Sequence, residues 1–131
     1  MTLKPKPEVI KQGRRRLGAI YTLPSGSQVY LAYRWVADVW RDNERCVADA
    51  IRSGKARWAI ETSVLIQLRA KHVPYVGVLL RDTGDRFVAP LEAFFDVEKV
   101  KSLTIKGYGG EFRALPYGDF TRRAGKILKI N

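Results

Sequence analysis

The sequence is poor in the residues that build covalent staples and catalytic centres: it has one cysteine, Cys46, and one histidine, His72. One thiol cannot form an internal disulfide, and one Cys with one His cannot complete a structural zinc site. A reducing compartment is the default for such a chain. Cys46 and His72 as a nucleophile pair have no supporting signature. Long hydrophobic runs are also missing; none approaches the roughly 20 residues needed to span a bilayer. The first residues, Met1 to Pro7, lack the apolar core of a signal peptide, so the expectation is a soluble, cytoplasmic protein that does not engage membranes. No phosphate-binding loop, dinucleotide fingerprint, metalloprotease helix or nucleophile elbow occurs. No motif calls for a cofactor or a metal, and there is no internal repeat.

What is present is positive charge. The 131 residues include 24 Lys and Arg against 13 Asp and Glu, a net charge of +11. Its placement matters more than its size. Residues 1–16 hold six Lys/Arg and one Glu, residues 17–98 are balanced at ten of each sign, and residues 99–131 hold eight Lys/Arg and two acids. A neutral body with two basic ends is tolerated best when a polyanion neutralises the ends, and nucleic acid is the foremost polyanion.

With 46% hydrophobic and 28% charged residues, the chain has ordinary globular composition and needs no staple to fold. Residues 1–16 read as a flexible basic arm, because the Lys-Pro steps favour extended backbone. Residues 17–131 read as a single domain. Leu17–Leu23 and Gln28–Arg34 flank the turn former Pro24-Ser25-Gly26-Ser27 and predict a hairpin. Val36–Ser53 carries a helical stripe of Val36, Trp40, Val47 and Ile51, stopped by Gly54. Trp58–Lys71 predicts a second helix, with Trp58, Ile60, Val64, Leu65 and Leu68 on one broad apolar face and Ala59, Ile66 and Ala70 on another. A strand over Ser63–Leu68 is the alternative. Glu61 falls on the main apolar face of that helix, where a carboxylate needs a partner.

Tyr75–Leu80 and Arg86–Ala89 predict a hairpin turning at Asp82-Thr83-Gly84-Asp85. Pro90–Phe95 suggests a short helical turn, and Asp96 reads as the N-cap of a helix over 97–103. Glu111–Leu115 predicts a strand ended by Pro116. Asp119–Asn131 could form a basic amphipathic helix. Together these predict an α+β fold: an antiparallel sheet built from β-hairpins, with two main helices packed on one face.

Function follows from the charge. The expected protein is a non-catalytic nucleic-acid binder, with DNA ahead of RNA. Arg14, Arg15, Arg16, Lys106, Arg113, Arg122, Arg123, Lys126 and Lys129 would contact phosphates, and Tyr108, in the glycine-rich loop Lys106–Gly110, would stack on a base. A second reading is a metal-dependent nuclease. The order of helix, hairpin and strand is loosely similar to restriction-endonuclease-like enzymes, with Glu61 joining Asp82, Asp85 or Glu92 around Mg²⁺. The chain departs from that pattern in having no Asp/Glu-x-Lys triplet in a following strand. A third reading, a protein-interaction or self-assembling module and thus a homo-oligomer, rests on the helix that is apolar on two sides.

Overall fold

The computed structural model describes residues 7–34, 57–81, 84–104 and 110–123. In chain order these form β1 (Glu8–Gln12), β2 (Arg15–Thr22), β3 (Gln28–Arg34), β4 (Arg57–Glu61), α1 (Thr62–Ala70), β5 (Tyr75–Leu80), β6 (Arg86–Pro90), a 3-10 turn (Leu91–Phe95), β7 (Lys101–Leu103), β8 (Phe112–Pro116), a second 3-10 turn (Tyr117–Asp119) and β9 (Thr121–Arg123). Six strands make one sheet in the order β1-β2-β3-β5-β6-β9, and three make another in the order β4-β8-β7. Every pairing is antiparallel except β3 with β5.

This overturns the expected α+β layering. Among the described residues strand accounts for 52% and helical residues for 19%, and α1 is the single α-helix. The helix expected over Val36–Ser53 lies outside them. The sheet is also not purely antiparallel, because β3 and β5 run side by side from Val29↔Tyr75 to Arg34↔Leu80.

The principal core forms where the two sheets and α1 meet. Ile10, Leu17, Ile20, Tyr30, Val76 and Ala89 of the large sheet pack with Val64, Leu65 and Leu68 of α1, Ile60 and Leu115 of the small sheet, and Leu91 and Phe94 of the first 3-10 turn. Each large side chain buried there contributes about 1.5–3 kcal/mol. A second cluster joins Trp58 of β4 to Val78, Leu80 and Phe87, with the Trp58 and Phe87 ring centroids 5.0 Å apart. The reverse face of the large sheet is buried at its centre too, at Ala19, Val29 and Leu31. Gly18 on β2 makes the front face pack: the Tyr30 ring lies over it, and a Cβ there would sit 2.7 Å from the Tyr30 hydroxyl and 2.3 Å from the Leu31 carbonyl oxygen.

Both expected hairpins are present, β2–β3 and β5–β6, as are the helical turn after Pro90 and the strand before Pro116. Four other expectations are corrected. The helix over Trp58–Lys71 divides at Glu61, with strand β4 before it and α1 after it. All five residues of its main apolar face are buried, but Ile66 of the second face is 56% exposed. From Glu8 onward the basic arm is strand β1, paired with β2. After Asp96 there is a turn and not a helix: the Asp96 side chain accepts from the Glu98 N–H at 3.0 Å and its carbonyl from Lys99 and Val100, and Lys101–Leu103 then pairs with β8. The start of the expected C-terminal helix is strand β9, paired with β6. No helix among the described residues is long and apolar enough to cross a membrane.

Candidate nucleic-acid interface

Strand direction decides where the cations go. In the large sheet β2 begins, β3 ends, β5 ends, β6 begins and β9 ends on one side, because β3 and β5 are parallel and the remaining pairs antiparallel. An arginine occupies or adjoins each of those strand ends. Arg14, Arg15 and Arg16 lie at the β1–β2 turn and the start of β2, all exposed. Arg16 and Arg34 each lie two residues beyond the Gly18↔Ala32 pair. Arg81 follows β5 directly, and its N–H donates to the Arg34 carbonyl at 2.9 Å. Arg86 opens β6 at the register position of Arg123, and Phe87 is at that of Arg122. Lys11, paired with Arg16, extends the row onto β1.

Four strand-to-strand steps separate β2 from β9, so the row is about 19 Å wide. Three acids share this side among the described residues: Glu61, Asp85 and Glu111. Glu61 is paired, its Oε1 3.5 Å from Arg34 Nη2. Glu111 is tied through its backbone, its carbonyl accepting from the Thr62 N–H at 2.9 Å. The Glu8–Lys71 and Arg69–Glu92 pairs lie elsewhere.

Local sequence explains the exposed end of the row. Gly13 has φ +60° and Gln12 pairs with Arg15, which leaves a two-residue turn with glycine first, the requirement of a II′ hairpin. That turn holds Arg14 outward and starts β2 at two further arginines.

On the reverse face, alternation places Tyr33 beside Leu31 and Val29, away from α1. The Arg81 guanidinium lies 4.5 Å from the Tyr33 ring centroid, and the Tyr33 and Tyr21 hydroxyls are 3.4 Å apart. Burial, then the contact with Tyr33, raises the Tyr21 hydroxyl pKa above its ordinary range. On the front face, Arg34 also donates to the Ala59 carbonyl at 2.9 Å. Beneath it, Glu61 Oε2 and the Tyr30 and Thr62 hydroxyls are buried without a hydrogen-bond partner.

Of the residues expected from sequence to contact nucleic acid, Arg14, Arg15, Arg16, Arg122 and Arg123 belong to this row. Lys106, Tyr108, Lys126 and Lys129 lie outside the described residues. Arg113 is engaged within the fold: it donates to the Phe94 carbonyl at 3.3 Å and lies 5.0 Å from the Phe95 ring centroid. Arg34, Arg81 and Arg86 were missed, since each is a lone arginine in a neutral stretch and only strand pairing brings them together.

Two carboxylates of the nuclease reading are engaged by arginines. Glu61 is matched by Arg34 and Glu92 by Arg69, at 3.6 Å. No three His, Cys, Asp or Glu residues are placed to hold a metal among the described residues, and Asp82 lies outside them.

No family model, curated protein or solved structure matches this chain.

Proposed function

We propose that this protein binds nucleic acid without catalysis, through the arginine-lined side of its large sheet. The observation that supports this most is the shared strand-end position of Arg14, Arg15, Arg16, Arg34, Arg81, Arg86, Arg122 and Arg123. A row of like charges is repulsive by itself and destabilises the compact state. Phosphates relieve that repulsion and release counterions as they bind. Arginine suits the task, since its fork of donors matches phosphate oxygens two at a time. The exposed Arg14, Arg15, Arg16 and Arg81 supply direct contacts.

The test is the salt dependence of affinity. Log Kd against log salt is expected to be steep. Replacing Arg14, Arg15 and Arg16 together by Ala should reduce its slope by about 2–3, near one unit of counterion release per lost contact. A slope that survives the triple substitution unchanged would rule out this surface as the interface.

A further inference from the structure

We infer that the nucleic acid recognised here is single-stranded, with an unpaired base stacking at the Tyr33–Arg81 pair; this rests on the reading just given. Three observations carry it.

The first is size. A protein element that reads duplex sequence enters a major groove about 12 Å wide, usually as one helix or a two-stranded ribbon. The arginine row crosses five adjacent strands and is about 19 Å wide, too broad for that groove. Nor does α1 serve as a recognition helix: its one cation, Arg69, covers the Phe95 ring at 4.4 Å and pairs with Glu92.

The second is the pair itself, the Arg81 guanidinium lying over the Tyr33 ring. Tyr33 is half-buried and Arg81 exposed, and both are held in place before any ligand arrives. The Tyr21 hydroxyl steadies the Tyr33 hydroxyl at 3.4 Å. The Arg81 backbone is fixed by its bond to the Arg34 carbonyl, and the Leu80 N–H is fixed by the Asp85 carbonyl at 2.9 Å. An arginine plane backed by an aromatic ring is a base-stacking platform. A duplex keeps its base faces covered, so only an unpaired strand can use it.

The third is position. Tyr33 and Arg34 are consecutive on β3, and alternation sends them to opposite faces of the sheet. The stack therefore sits at the centre of the cation row but on its reverse side. A strand whose phosphates follow the row can turn a base onto Arg81 there.

The experiment is fluorescence-anisotropy titration of the full chain with labelled oligothymidylate and oligouridylate. A self-complementary duplex with the same number of phosphates serves as comparison at equal ionic strength. Charge alone favours the duplex, which packs phosphates more densely, so tighter single-strand binding has to come from the bases. The single strands are expected to bind about tenfold more tightly. Arg81→Lys keeps the charge and removes the plane. It should weaken single-strand binding by about fivefold or more and duplex binding by clearly less, since there only the fork of one phosphate contact is lost; the salt slope should hold because the charge is kept. Duplex binding as tight as single-strand binding, or an Arg81→Lys variant indistinguishable from the parent, would overturn this inference and leave the broader reading standing. Failure to bind either form would remove both.

Discussion

Arg34, the last residue of β3, reaches across to the small sheet and closes on Glu61, the last residue of β4, with Nη2 3.5 Å from Oε1 and 2.9 Å from the Ala59 carbonyl. The arginine side chain is 22% exposed and the glutamate 12%, so the pair is largely withdrawn from water. It links the two sheets at the side where the arginine row lies.

Arg34→Ala leaves the Glu61 carboxylate buried without its counter-charge. It is expected to reduce stability by about 3–5 kcal/mol, whereas Arg34→Met combined with Glu61→Leu should lose far less. Urea titration of both variants checks this. Equal losses would mean that Glu61 does not depend on Arg34.

The Tyr30 hydroxyl is fully buried, and burial first, then the nearby Glu61 charge, raises its pKa. Above pH ~10 an unfolded tyrosine loses its proton while the folded one keeps it. The folded state then binds more protons than the unfolded state, so stability falls as pH rises. The stabilising contribution is complete below pH ~10 and declines above it by about 1.4 kcal/mol per pH unit for this group. Tyr30→Phe should flatten that decline and, by removing an unpartnered hydroxyl, be neutral or stabilising near neutrality. Denaturant melts across the alkaline range measure both effects.

His72 has φ +58° and follows Lys71, the C-cap of α1. Its N–H donates to the Arg69 carbonyl and the Val73 N–H to the Leu68 carbonyl, both at 3.1 Å, which is the Schellman arrangement. Histidine accepts this left-handed conformation at some strain. His72→Gly should therefore raise stability by about 1 kcal/mol, read as a higher Tm. A lower Tm would show that the imidazole makes a stabilising contact.

Gly18→Ala places a Cβ 2.3 Å from a backbone oxygen of the neighbouring strand, and backbone cannot swing aside as a flexible side chain can. A loss of about 3 kcal/mol is expected. If the variant melts with the parent, the Tyr30 ring and β3 have more room than this packing allows.

The parts of the fold written in local pattern were legible in the sequence. The hairpins around Pro24–Ser27 and Asp82–Asp85 announce themselves by β-rich segments on either side of turn formers. The division at Glu61 did not, because Trp58 and Ile60 fit a period of two while also falling on the helical stripe of Val64, Leu65 and Leu68. The three-residue strands Lys101–Leu103 and Thr121–Arg123 are too short to carry any period. They exist because β8 and β6 have edges to pair, and that is tertiary information. Glu8–Gln12, expected as part of a flexible arm, is a strand whose pairing leaves little trace in the pattern, since only Ile10 of the five is buried.

The site was partly legible for the same reason. Arg14–Arg16 and Arg122–Arg123 stand out as runs, whereas Arg34, Arg81 and Arg86 acquire meaning only once β3 and β5 lie parallel. Glu61 was recognised as a carboxylate in apolar company that needs a partner, and Arg34 supplies it.

That parallel pairing has a further consequence. Hairpins zip up locally, but β3 and β5 can join only after everything from residue 35 to residue 74 has been gathered between them, and closing so long an excursion is entropically slow. The seam between these strands also runs through the arginines: Arg14, Arg15, Arg16 and Arg34 stand on one bank, Arg81, Arg86, Arg122 and Arg123 on the other. A polyanion lying across the seam would therefore fasten the two halves of the sheet, and its binding energy would be added to the stability of the joined form.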